Sequence, residues 1–155
     1  MKLKLSFFSI LTLLILSNAA HAEECRQECQ KANIEAYFMS LAKIYREDSN
    51  EKDIENFFEL FHANVKYEHL DYDANFNRND WIAAFKNNLQ RGAYSASQKD
   101  GIRVENYIFG KNHVAVEYSY GLRLANGEWE PKGDQKLFAL FGFNGKKIIL
   151  VREYW

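Results

Sequence analysis

DIENFFELFHANVKYEH, residues 53–69, changes periodicity halfway along. Ile54, Phe57, Phe58 and Phe61 fall at i, i+3, i+4 and i+7, the spacing of an amphipathic helix. Val65, Tyr67 and His69 then alternate with Lys66 and Glu68, the spacing of a half-buried strand. Upstream, Asn50 stands three residues before Asp53 in the pattern of a capping box. Further upstream, Ile34, Tyr37, Phe38, Leu41, Ile44 and Tyr45 mark another amphipathic helix, which the polar residues 46–52 end.

Downstream, residues 71–79 read as a polar loop. Asn79 can cap a third helix carrying Trp81, Ile82, Phe85 and Leu89, with Gly92 as its stop. Beyond Gly92 every pattern is strand. Residues 102–109 and 113–124 are joined by Gly110-Lys111-Asn112, and Asn126-Gly127 and Asn144-Gly145 are hairpin signals of type I′. The second hairpin sets a register in which Phe143 faces Lys146, Phe141 faces Ile148, Ala139 faces Leu150 and Lys136 faces Glu153. Phe138–Val151 and Leu140–Ile149 then fall on the other face, so the hairpin is apolar on both. Helices can cover one face, and a second copy of the chain is expected on the other, giving a homodimer. Pro131 and Gly133 place a bulge or an edge after Trp129. The order predicts an α+β cone: three N-terminal helices packed on a curved mixed/antiparallel sheet, enclosing a pocket.

The N-terminus has its own reading. Lys2 and Lys4 precede a mostly apolar run at residues 5–16, and Ala20-His21-Ala22 is a small-residue cleavage site. Together these form a secretory signal peptide, residues 1–22, cut after Ala22. The run is shorter than the roughly 20 residues that span a bilayer. The expected location is periplasmic or secreted, with no membrane attachment after cleavage. Cleavage removes two lysines and leaves 133 residues with 18 Lys+Arg against 21 Asp+Glu, one domain with a net charge of −3. No basic stripe interleaves with aromatics, which excludes a nucleic-acid partner. Aromatic residues make up 15% of the chain, enough to fill a core and line a cavity besides.

Cys25 and Cys29 lie in a short arm, residues 23–33, ahead of the domain at 34–155. On a regular helix, Cβ atoms four residues apart sit about 5–6 Å from each other, beyond the usual 3.5–4.5 Å of a disulfide. Three outcomes remain open: an irregular segment with a local disulfide, an intermolecular disulfide, or free thiols. No pair of His or carboxylates has metal-ligand spacing, and no cofactor is expected.

The helix at residues 34–45, DIENFFELFHANVKYEH, NRNDWIAAFKNNL at residues 77–89 and the closing KIILVREYW at residues 147–155 resemble the NTF2-like superfamily, and within it the SnoaL-like group. The resemblance covers residues 34–155 and implies a ligand-holding cone. That fold serves isomerases, dehydratases, cyclases, epoxide hydrolases and plain binding or assembly domains, so it does not by itself choose a chemistry. In the ketosteroid-isomerase branch a Tyr of the first helix donates a hydrogen bond. Tyr45 or Tyr37 holds that position here. The branch's carboxylate falls near Glu68 or His69, and parity turns His69 inward and Glu68 outward. The dehydratase branch uses Tyr, His and Asp together, which Tyr45, His69, Asp71 and Tyr118 could supply. A neutral His beside a Tyr can move a proton near pH 7. The epoxide-hydrolase branch needs Arg-x-Asp on a strand, and Arg123-Leu124-Ala125 lacks the Asp.

Three functions follow as expectations. The first is binding of a small, largely apolar molecule, with Tyr67, Trp81, Phe85, Tyr118 and Tyr120 lining the pocket. The second is a lyase or isomerase using His69 with Tyr45 or Tyr37, and Asp71 as a further candidate. The third is a non-catalytic dimeric interaction module. Each candidate also has a plain structural role: Tyr37 and Tyr45 as core aromatics, His69 as a hydrogen-bonded interior residue, Asp71 and Asp73 as Asx turns, and Glu153 as the cross-strand partner of Lys136.

Overall fold

The computed structural model describes residues 24–155, and the expected signal peptide lies outside the described residues. Three helices, α1 (Gln27–Ile44), α2 (Glu51–Phe58) and α3 (Arg78–Gln90), pack on one seven-stranded sheet. Its strands are β1 (Phe61–His69), β2 (Ala74–Asn77), β3 (Asp100–Phe109), β4 (His113–Arg123), β5 (Trp129–Pro131), β6 (Leu137–Asn144) and β7 (Lys147–Glu153). The order across the sheet is β2-β1-β7-β6-β4-β3, with β5 paired to the far end of β4. β1 and β7 run parallel and every other pair is antiparallel. The sheet is mixed, curved and unclosed, the α+β cone that the element order predicts.

The helices bury the residues that their periodicity selects. Tyr37 and Phe38 of α1, Phe57 and Phe58 of α2 and Trp81 and Phe85 of α3 are all buried. Their rings meet edge to face or tilted, with centroids 4.9–6.0 Å apart, around Phe61 and Phe141. Such pairs add about 0.5–1.5 kcal/mol each beyond area burial. The Asn50–Asp53 capping box forms as the spacing predicts: the Asn50 side chain accepts from the Lys52 amide at 2.9 Å, and Asp53 accepts from the Asn50 amide at 3.1 Å. Gly92 adopts φ +67 beyond the end of α3.

α1 begins at Gln27, ahead of the Ile34 that opens its periodic face, and is anchored where buried Gln30 donates to the Lys111 carbonyl at 3.0 Å. Three local expectations are corrected. The N-cap of α3 is Asn77 and not Asn79, because Asn77 has the extended backbone that lets its side chain accept from the Asn79 and Asp80 amides. Part of the expected 71–79 loop is β2, which returns from the 70–73 turn to pair with β1. The register of the last hairpin also differs. Its two-residue loop is Gly145-Lys146, with φ +56 at Gly145, so Asn144 faces Lys147. Ile149 is then an extra residue on β7, and Phe141 faces Val151 while Ala139 faces Glu153. Lys136 pairs with Glu117 at 2.7 Å instead of Glu153.

Trp129 of β5 lies flat on the outer face of the sheet, and only a glycine fits beneath it. A Cβ at Gly121 would stand 2.4 Å from the Glu130 carbonyl oxygen and 2.7 Å from the Trp129 ring. The indole donates to Ser119 at 3.0 Å, Ser119 to Glu105 at 2.8 Å, and Arg103 grips Glu105 while stacking on the indole. Gly121→Ala is expected to cost about 1–3 kcal/mol through overpacking, and Asn50→Ala about 1 kcal/mol through the lost cap. Urea unfolding of the two variants checks both, and a Gly121→Ala midpoint equal to wild type would refute the clash.

Candidate functional site

The parallel pairing of β1 with β7 sets His69 beside Glu153. Alternation turns Val65, Tyr67 and His69 inward on β1, and the bulge at Ile149 turns Val151 and Glu153 inward on β7. Glu153 is 4% exposed. Tyr67 donates to its Oε2 at 2.6 Å and Tyr118 to its Oε1 at 3.1 Å. Trp155 in turn donates its indole N–H to the Tyr118 hydroxyl at 2.6 Å. Burial pushes the Glu153 carboxyl above the usual carboxylate range, against the opposing pull of the two tyrosine hydrogen bonds and of His69. Burial likewise raises Tyr37, Tyr67 and Tyr118 far above the ordinary phenol value, and the charge of Glu153 adds to each. All three stay protonated, and Tyr67 and Tyr118 are the donors to Glu153.

His69 is 3% exposed, and neither ring nitrogen has a hydrogen-bond partner among the described residues. Its ring lies 4.4 Å from that of Tyr72 and 4.6 Å from that of Trp155. A buried imidazole without a hydrogen-bond partner thus lies beside a carboxyl that two phenols hold.

A cleft opens between the end of α1 and the start of β3. It has a volume of about 180 Å³ and is walled by Ala42, Tyr45, Gly101, Ile102 and Tyr120. Burial raises Tyr45 and Tyr120, and the interaction between the two hydroxyls partly offsets the rise at Tyr120. Asp100 and Lys132 form an ion pair at the rim. Hydrogen bonds from Lys132 and from Ser97 hold the Asp100 carboxyl below the usual range.

The candidate residues thus divide between two places. Tyr67, Tyr118 and His69 gather around Glu153, while Tyr45 and Tyr120 line the cleft. Tyr37 sits behind them in the aromatic core, its ring 5.3 Å from that of Phe57. Trp81 and Phe85 pack on Phe57 and Phe58, and Trp81 also stacks on Tyr67 at 4.6 Å. Asp71 lies in the exposed 70–73 turn and does not hydrogen-bond to the His69 ring. Cys25 and Cys29 are joined in a disulfide, Cα atoms 5.2 Å apart. Cys25 precedes the extended N-cap residue Arg26, so the spacing of a regular helix does not apply to the pair. Glu153 reads from the sequence only as a cross-strand partner of Lys136, not as a member of the site. Its signal was the alternation Val151, Glu153, Trp155, which an unbulged register places opposite Lys136. Among the described residues no group of three or more His, Cys, Asp or Glu could hold a metal ion, and no helix is long and apolar enough to cross a membrane.

No family model and no curated protein sequence matches the chain. Solved structures match in fold. An NTF2-like protein of unknown function from Burkholderia xenovorans aligns with a TM-score of 0.53 at 14% identity, covering 83% of this chain and 84% of that one. SalBIII, an epoxide hydrolase/cyclase-like enzyme in pyran ring formation in the polyether salinomycin, aligns at 0.53 and 18% identity over 83% and 91%. A protein with a ketosteroid isomerase-like fold from Catenulispora acidiphila, in complex with trimethylamine, aligns at 0.50 and 16% identity over 79% and 84%. The fold is the NTF2-like cone of the expected resemblance.

The raised Glu153 makes a signed prediction. A carboxyl whose folded pKa lies above its unfolded value adds stability below the ordinary carboxylate range, and that stability is lost as pH rises through the folded value. Between about pH 4 and pH 8, wild type is therefore expected to lose stability relative to Glu153→Gln. Asp100 and Glu105, whose folded values are lowered, titrate in both proteins and cancel in the difference. Urea midpoints across that range measure it, and two parallel curves would refute the assignment.

Proposed function

We propose that this protein binds a small, largely apolar molecule in the cleft between α1 and β3, with the hydroxyls of Tyr45 and Tyr120 reading its polar group. The carrying observation is the lining: apolar walls with two neighbouring phenols and a rim closed by an ion pair. At about 180 Å³ the cleft is smaller than the 300–1,000 Å³ of drug-sized sites, which points to a compact ligand. One protein of this fold is seen with trimethylamine and another acts in ring formation, so the cone can house small organic molecules.

A second reading, a lyase or isomerase moving a proton, is favoured by His69 and Glu153 lying side by side in the interior. The phenols gathered there are Tyr67 and Tyr118, while the expected partners Tyr45 and Tyr37 lie in the cleft and the core, and Glu153 supplies the carboxylate that Asp71 does not. The proposal includes export to the periplasm or medium. It also includes a homodimer through the outer sheet face, where Ile108, Phe138 and Tyr154 are exposed between the ion pairs Lys136–Glu117 and Arg152–Glu68. Both signs of charge on that rim suit a second copy of the same face.

Two measurements test the readings. Thermal shift against a panel of small phenols and ketones is expected to give a saturable rise in Tm, and Tyr120→Phe to weaken the best binder about 5- to 10-fold, one hydrogen bond's worth. A panel with no stabilising member removes phenols and ketones as the ligand class. If a bound compound is also converted, His69→Ala and Glu153→Gln should each lower turnover by about 100-fold or more with affinity little changed. Unchanged turnover removes both from the mechanism.

A further inference from the structure

The cleft continues along α1 into a wider groove of about 510 Å³ beside β3, a strand paired on one side only. Phe38, Met39, Ala42, Ile102 and Val104 give it an apolar bed, and Met39 is 71% exposed. Three cations stand around it: Arg46, Lys99 and Arg123. None has an ion pair or a side-chain hydrogen bond among the described residues, and the Arg46 Nε is buried without a partner.

The backbone holds these three in place. The Tyr45 carbonyl accepts from the Ala96 amide at 2.9 Å, and the Ala96 carbonyl accepts from the Glu47 amide at 3.2 Å, which brackets Arg46. The Lys99 carbonyl accepts from the Arg123 amide at 3.1 Å, which sets those two side by side. The other charges of the groove are already matched. Arg103 is held by Glu105, Asp100 by Lys132, and Glu35 meets Lys31 and the Tyr107 hydroxyl. Arg46 also offsets the negative end of α1, but that leaves its Nε unpaired and does not concern Lys99 or Arg123.

We infer that the ligand is an amphipathic anion, an apolar body carrying one negatively charged head group. The body lies on Phe38, Ala42, Ile102 and Val104, and the head group meets Arg46, Lys99 and Arg123. This rests on the binding reading above and names the ligand class for that site. Charge complementarity carries it: three unmatched cations beside an apolar bed exclude a cationic head group and leave a neutral one without payment for their desolvation.

The test is calorimetric titration of the mature protein with octanoate, 1-octanol and octylamine, which share a body and differ in the head group. Octanoate is expected to bind about tenfold or more tightly than octanol, as befits charge-assisted hydrogen bonds. That preference should shrink with added salt and in the Arg46→Gln/Lys99→Gln/Arg123→Gln variant, while octanol binding stays put. Ala42→Trp, which fills the groove, should abolish octanoate binding with the far-UV spectrum unchanged. Equal affinity for octanoate and octanol, tighter octylamine, or octanoate binding that survives Ala42→Trp overturns the inference and leaves the cleft reading standing. Binding of phenols or ketones without any of the three probes overturns it too. Failure of every compound in both panels overturns the cleft reading itself.

Discussion

The parallel pairing of β1 with β7 is the constraint on which the rest of this molecule depends. It brings the first strand and the last into the middle of one sheet, with β2 on one side and the β6–β4–β3 meander on the other. Parallel neighbours keep their side chains in step, so the inward residues of both strands arrive at the same depth. His69 stands beside Glu153, and Tyr67 reaches the same carboxyl. The helices then close over this face with rings, and what remains open lies at the far side, between α1 and β3.

The interior carboxyl runs against the economy of an apolar core. Burying an ionised Glu costs several kcal/mol unless hydrogen bonds replace its water. Here two phenols and, through one of them, an indole do so. The replacement is incomplete, as the raised pKa of Glu153 and the unpartnered nitrogens of His69 record. That incomplete replacement is what makes the cluster a candidate site.

Much of this architecture could be read from residue spacing. The helical face of α2 and its capping box, the stop at Gly92 and the inward turn of His69 each followed from a local rule whose physical cause lies within a few residues. What could not be read was non-local or hinged on one residue. β2 is a strand only because β1 offers it an edge. The extra residue at Ile149 shifts the end of β7 against β6, and with it moves Glu153 from a surface ion pair to the centre of the tyrosine cluster. Spacing alone left the disulfide as one of three outcomes, and the extended residue Arg26 at the helix start, which takes Cys25 off the regular helix, goes with the local bond. The cations of the groove are scattered over residues 46–123, and only backbone pairing at Ala96 and Lys99 assembles them.

The position of β7 also bears on when this chain can fold. Until residues 147–153 are available, β1 and β6 each lack a neighbour and the inner face is split into two halves. Contacts at such sequence separation are slow to form, because loop closure must precede their reward. For a protein that crosses a membrane as an extended thread, as proposed here, that delay acts as a timer. It would keep the polypeptide threadable during the proposed translocation and leave collapse for the far side, where the two cysteines could also be oxidised.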